Sequence, residues 1–142
     1  MTVVLLDVVG LTPRLLAHAP NISAVGRAVP MRGPVPAVTS TAQATMLTGA
    51  PPSKHGIVAN GWLYRDTMEV RFWQQSNRLL EAETLYARRG FTCAKMFWWF
   101  NQGAGVDWYA TPKPHYGADG SKRFGILDNC GLEGELGPFP FP

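Results

Sequence analysis

Thr2-Val3-Val4-Leu5-Leu6-Asp7-Val8-Val9 is apolar and largely β-branched apart from Asp7, and Gly10 follows it. A parallel strand covered by helices on both faces reads this way, because neither face has to meet water. Outward from this stretch, Thr12-Pro13 opens a short helical turn through Leu16, and Pro20-Asn21 opens a second that ends near Gly26. Ala28–Met31 is the next strand candidate. Thr39 or Ser40 caps a helix over Thr41–Leu47, and Gly49 stops it. Trp62–Arg65 and Met68–Trp73 flank Asp66-Thr67 as the arms of a hairpin. Leu79–Arg89 reads as a helix, with glutamates in its first half, Arg88 and Arg89 at its end and Gly90 beyond, as the helix dipole favours. Phe91–Phe100 and Asp107–Ala110 are further strand candidates, and the chain after Thr111 reads as loop. Strands alternating with helices predict an α/β fold with right-handed crossovers.

The chain has 142 residues, which suits one domain or part of one. With 46% apolar and 16% charged residues it can build a core, which excludes wholesale disorder. Fifteen glycines and twelve prolines imply many turns and few long helices. The net charge of +3 is dilute and contains no Lys/Arg run, which fits a small anionic substrate and argues against a nucleic-acid tract. No apolar stretch reaches the roughly 18 residues of a membrane span. Asp7 interrupts the apolar run and no basic segment precedes it, so no signal peptide is read and a cytoplasmic protein is expected. Cys93 and Cys130 have the spacing of neither a disulfide framework nor a zinc cage. The uncharged tail Gly137–Pro142, carrying Phe139 and Phe141, reads as the cut end of something longer.

Ligands of open α/β sheets bind outside the carboxyl ends of the strands. Asp7 is expected near that end of the first strand, with the Thr39 helix start on the same side after one crossover. A helix N-terminus offers unpaired N–H groups and partial positive charge, which suit a phosphate. A hydroxyl there becomes a nucleophile if a cation lowers its pKa, and a carboxylate is a hard ligand for such a cation. Spacing alone favours plainer readings of both residues: Asp7 satisfying nearby backbone N–H groups, and Thr39 capping a helix. Gly49–Lys54 superficially looks like a phosphate-binding loop, but it lacks the glycine before the lysine, and Pro51 and Pro52 remove N–H donors.

The stretch Pro36-Ala-Val-Thr39-Ser-Thr-Ala-Gln-Ala-Thr-Met-Leu-Thr48-Gly49, with Pro52-Ser-Lys-His55-Gly56-Ile-Val-Ala-Asn60-Gly61-Trp62 after it, resembles the nucleophile region of the nucleotide pyrophosphatase/phosphodiesterase family of the alkaline phosphatase superfamily. Val3–Leu11 is similar to that family's first strand, and weaker similarity runs from Phe97-Trp-Trp-Phe-Asn101 to Asp119-Gly120. The resemblance implies an alkaline-phosphatase-like sheet, mostly parallel with flanking helices and incomplete here, the chain forming the N-terminal part of a single domain over residues 1–142. It implies a metal-dependent phosphoester or pyrophosphate hydrolase of phosphodiesterase type, acting on a small phosphorylated substrate through a phosphoryl-enzyme intermediate. Thr39 falls on the nucleophile, which also touches metal. Asp7 falls on a metal ligand. Asn60 falls on the residue that holds a non-bridging phosphoryl oxygen, helped by the backbone N–H after Thr39.

Two zinc ions are implied for a complete member of the family, and the remaining Asp and His ligands are absent from this sequence. Asp7 and Thr39 alone should hold zinc poorly, so after dialysis the chain is expected to keep no stoichiometric zinc and to show no turnover. The alternative is a truncated, non-catalytic phosphate- or nucleotide-binding module. Where many relatives have Pro-Asn-His after the nucleophile, Thr41-Ala42-Gln43 stands here, a change expected to alter helix packing. His55 is read as structural, bonding the loop backbone. Phe97–Phe100 and Trp108 could stack on a base or aryl group but read more simply as a buried strand and its loop. Lys113, His115, Tyr116 and Lys122 read as a solvated polar loop, and Cys93 as a small buried hydrophobe.

Overall fold

The computed structural model describes residues 1–88 and 90–138, without the side chains of residues 114–116 and 122–124. Arg89, Phe139 and Phe141 lie outside the described residues, as do the side chains of His115, Tyr116 and Lys122. The chain divides into two compact units, Met1–Arg32 and Gly33–Pro142.

In the Met1–Arg32 unit a 3-10 turn, Leu15–His18, leads into the helix α1, Pro20–Ser23, which has proline at its first position. Ser23 Oγ donates to the Leu16 carbonyl at 2.7 Å and ties the two together. Neither strand expected here forms. Thr2–Val8 has no regular structure, and Val4 is 81% exposed. Ala28–Met31 is likewise irregular. The physical reason is pairing. An apolar run becomes a buried strand only when neighbouring strands take its N–H and C=O groups, and this unit contains no other strand.

The Gly33–Pro142 unit is built around α2, Thr39–Thr48. Its cap is Val38, with no side-chain hydrogen bond, so the expected Thr39 or Ser40 cap is corrected: both residues are helical. Gly49 ends α2 in the left-handed region (φ 66°) and donates its N–H to the Thr45 carbonyl at 2.8 Å, a conformation that costs glycine least. The short helix α3, Pro52–His55, follows. The expected hairpin is present as β1, Gly61–Tyr64, against β2, Glu69–Phe72, in register Gly61↔Phe72 to Tyr64↔Glu69.

A three-stranded mixed sheet completes the unit, in the order β3-β4-β5. Here β3 is Ala94–Met96, β4 is Trp108–Tyr116 and β5 is Lys122–Asp128. The β3/β4 ladder is parallel and the β4/β5 ladder antiparallel. The loop expected after Thr111 is therefore a hairpin, and the strand expected over Phe91–Phe100 shrinks to three residues. The Asp128 carboxylate accepts the N–H groups of Gly131 (2.8 Å) and Leu132 (3.1 Å), which fixes the start of α4, Leu132–Leu136.

The helix expected over Leu79–Arg89 is replaced by 3-10 turns at Asn77–Leu79 and Leu85–Ala87. Packing outweighs propensity there. Leu79 and Leu80 rest on the core, Tyr86 is one of its members, and the Glu81 N–H donates to the His55 carbonyl at 3.2 Å, away from any helical ladder. The core comprises Ala44 and Leu47 of α2 with Ile57, Tyr86 and Phe100, skirted by Trp62, Cys93, Trp98 and Trp99.

Candidate functional site

Three polar residues of α2 (Ser40, Thr41 and Gln43) are buried, an unusual interior for a ten-residue helix. Thr39 is the first helical residue and is half-buried. At this position the N–H groups have no intrahelical partner. Asn60, immediately before β1, supplies one: the Ser40 N–H donates to Asn60 Oδ1 at 3.0 Å. That contact links the residue after Thr39 to Asn60 across a separation of 20 residues. The N–H after Thr39, expected to face a phosphoryl oxygen, is engaged by Asn60 in this structure. With Oδ1 pinned, the end of the Asn60 amide left to donate is Nδ2, with two N–H groups.

Below the helix start the structure is firmly tied. Ile57 N–H donates to His55 Nδ1 at 3.1 Å, so the proton of the neutral ring is on Nε2, which lies 3.0 Å from Thr45 Oγ1. Thr45 in turn donates to the Thr41 carbonyl at 2.9 Å. Burial lowers the pKa of His55, partly offset by its backbone hydrogen bond, which keeps the ring neutral near pH 7. His55 thus bonds the backbone of its own loop, as its structural reading holds. Ser40 Oγ and Thr41 Oγ1 are buried without a hydrogen-bond partner among the described residues.

Gln43 turns its Oε1 to the Trp99 N–H at 2.9 Å. This fastens the Phe97–Phe100 segment to the helix that starts at Thr39. Phe97 (φ 62°), Phe100 (φ 63°) and Trp73 (φ 56°) all sit in the left-handed region that bulky side chains avoid. The Phe97 N–H and the Asn101 side chain both donate to the Ala110 carbonyl, at 2.7 and 2.8 Å, anchoring the segment to β4. Trp108, on β4, is half-exposed.

A second buried polar group was not legible in the sequence. Lys95, on β3, is 3% exposed. Its Nζ donates to the Phe100 carbonyl (2.8 Å) and to the Tyr86 hydroxyl (3.3 Å), and lies 4.9 Å from the centre of the Tyr86 ring. Tyr86 passes its own proton to Asn77 Oδ1. Desolvation lowers the Lys95 pKa to about 7 and raises that of Tyr86 to about 12. Period-two alternation across Ala94–Met96 was the only available hint that Lys95 points inward, and three residues are too few to read it.

Asp7 lies in the Met1–Arg32 unit, half-buried in the segment that forms no strand. Cys93 and Cys130 are free thiols.

An asparagine amide is held at the N-terminus of a helix that begins with threonine, and helix N-termini in general favour anionic oxygens. The chain belongs to the type I phosphodiesterase/nucleotide pyrophosphatase family, whose model it matches over residues 3–130. No curated protein and no solved structure matches it. The family is one of phosphodiester and pyrophosphate hydrolases, generally metal-dependent, with an alkaline-phosphatase-like α/β fold. Among the described residues no three His, Cys, Asp or Glu side chains gather where they could hold an ion, whereas a catalytic zinc takes three protein ligands. No helix among the described residues is long and apolar enough to cross a membrane.

Proposed function

We propose that the chain handles phosphoryl groups as a phosphodiesterase-type hydrolase of small phosphorylated substrates, with Thr39 as nucleophile. Thr39 Oγ1 forms a bond to phosphorus, the opposite ester oxygen departs with the bonding pair and takes up a proton from solvent, and the Thr39 proton passes to solvent water as the new bond forms. Water then attacks the phosphoryl-threonine, releasing the product and restoring the hydroxyl. Negative charge grows on the non-bridging oxygens during both steps. The partial positive charge at the α2 N-terminus opposes it, and Asn60 Nδ2 donates to one oxygen. The resemblance assigns Asp7 of the Met1–Arg32 unit and Thr39 of the Gly33–Pro142 unit to the metal, and neither unit gathers a full ligand set among the described residues. The observation that carries the reading is the hydrogen bond from the Ser40 N–H to Asn60 Oδ1, which supports a common site for the Thr39 helix start and the amide.

A second reading, a phosphate- or nucleotide-binding module without turnover, is favoured by the incomplete donor set. Hydrolysis of bis-para-nitrophenyl phosphate with zinc supplied separates the two. Thr39→Ala should lower the rate at least about a hundredfold, as removal of a nucleophile does, and Thr39→Ser should keep part of it. Equal rates for Thr39→Ala and the parent would remove Thr39 from the chemistry. A parent chain that binds inorganic phosphate and never hydrolyses the ester would establish the binding module.

A further inference from the structure

Four contacts form a closed circuit that starts and ends on α2. The Ser40 N–H holds Asn60 Oδ1 (3.0 Å). The Asn60 carbonyl accepts the Trp73 N–H (2.9 Å). The Trp73 and Trp99 rings stack, with centroids 5.2 Å apart and planes inclined by 27°. The Trp99 N–H donates to Gln43 Oε1 (2.9 Å), and Gln43 lies one helical turn beyond Thr39. Trp73 and the Phe97–Phe100 segment are both held at backbone angles that bulky residues leave unless their surroundings fix them.

The circuit answers a mechanical weakness. Asn60 sits at the base of a two-stranded hairpin, and every residue of β2 is exposed. Such a hairpin is marginal by itself in water. Trp62 anchors β1 to the core, while Trp73 ties the opposite strand to the α2 side through Trp99.

We propose that the Trp73–Trp99 stack, fastened to α2 by Gln43, is a positioning device that holds Asn60 against the Ser40 N–H and so fixes its amide beside Thr39. Its catalytic consequence rests on the functional reading above; the positioning itself does not. An offset aromatic pair contributes enough to shift a local equilibrium about two- to tenfold.

The test is amide hydrogen exchange of the full chain, comparing the Ser40 N–H with the Leu47 N–H deeper in α2. In Trp99→Ala and in Gln43→Ala, Ser40 protection should fall about two- to tenfold while Leu47 protection holds. Trp99→Phe, which can still stack, should restore most of it. Gln43→Ala removes the contact to the Trp99 N–H without touching the aromatic stack and gives the comparison even if Trp99→Ala does not fold. Under the zinc-supplied assay, kcat should fall in step with Ser40 protection while KM changes little. Unchanged Ser40 protection, or equal loss at Ser40 and Leu47, would overturn the proposal. Loss confined to Ser40, together with a Thr39→Ala chain that hydrolyses normally, would keep the positioning and discard Thr39 as nucleophile.

Discussion

The parent chain should gain stability as pH rises above neutrality, and replacing Lys95 with methionine should flatten that rise. Lys95 Nζ has two acceptors, the Phe100 carbonyl and the Tyr86 hydroxyl, and no carboxylate pairs with it among the described residues. A neutral amine has two N–H groups for those two acceptors. The ammonium form has a third, and it must be desolvated as a charge. Burial therefore lowers the folded-state pKa to about 7 from the usual 10.5, with the Cys93 thiolate opposing the shift. Between those values the unfolded chain binds the proton and the folded chain does not, so stability rises with pH and the gain is lost as pH falls through about 7.

From about pH 7 to about pH 8.5 the gain works out at about 1.5 kcal/mol, given about 1.4 kcal/mol per fully effective pH unit. The other shifted groups act mainly outside that window. His55, with its pKa lowered from 6.5 by burial, adds stability that is lost as pH falls below that value. Burial raises the Cys93 and Tyr86 pKa values from 9.0 and 10.0, and their contributions decline as pH climbs further. Urea unfolding followed by tryptophan fluorescence at the two pH values measures the difference. Parent and Lys95→Met curves that shift equally with pH would refute the buried, partner-poor amine.

Two further outcomes are expected. Gly56→Ala should destabilise the chain by about 1–3 kcal/mol, because φ there is +79° and the added Cβ would lie 2.8 Å from the Glu81 carboxyl carbon; thermal unfolding of the variant checks this. After exhaustive dialysis, elemental analysis should find no stoichiometric zinc, and about one tightly held zinc per chain would show that ligands beyond Asp7 and Thr39 take part.

How far the sequence could be read depends on how local the deciding forces are. The β1/β2 hairpin and the end of α2 were legible because they rest on alternation, on a turn and on one glycine, all within a few residues. Thr39 and Asn60 were singled out by resemblance alone, and the structure places the N–H after Thr39 against the Asn60 amide. Thr2–Val9 was misread because strand-like composition cannot supply a pairing neighbour. Residues 79–89 have helix-forming composition, yet Tyr86 and the Leu79-Leu80 pair gain more from the core than from a helical ladder. The chain after Thr111 was read as loop, yet it continues as β4 through Pro112 and Pro114, and β3 pairs with β4 only over Trp108–Ala110. Beyond that point β4 has a neighbour on one side alone, and a proline lacking its N–H is tolerated there. The Trp73–Trp99 stack and the Gln43 contact join segments far apart in sequence, which no local pattern records.

In the proposed reaction Thr39 takes the phosphoryl group. The most direct measurement is to mix the chain with an aryl phosphodiester and zinc, quench in acid during turnover, and map phosphorylation by tandem mass spectrometry. The expected result is a phosphoryl adduct on Thr39 that disappears in Thr39→Ala and accumulates when the second, hydrolytic step is slowed. Turnover with no adduct at Thr39, or with the phosphoryl group on another side chain, would contradict the account.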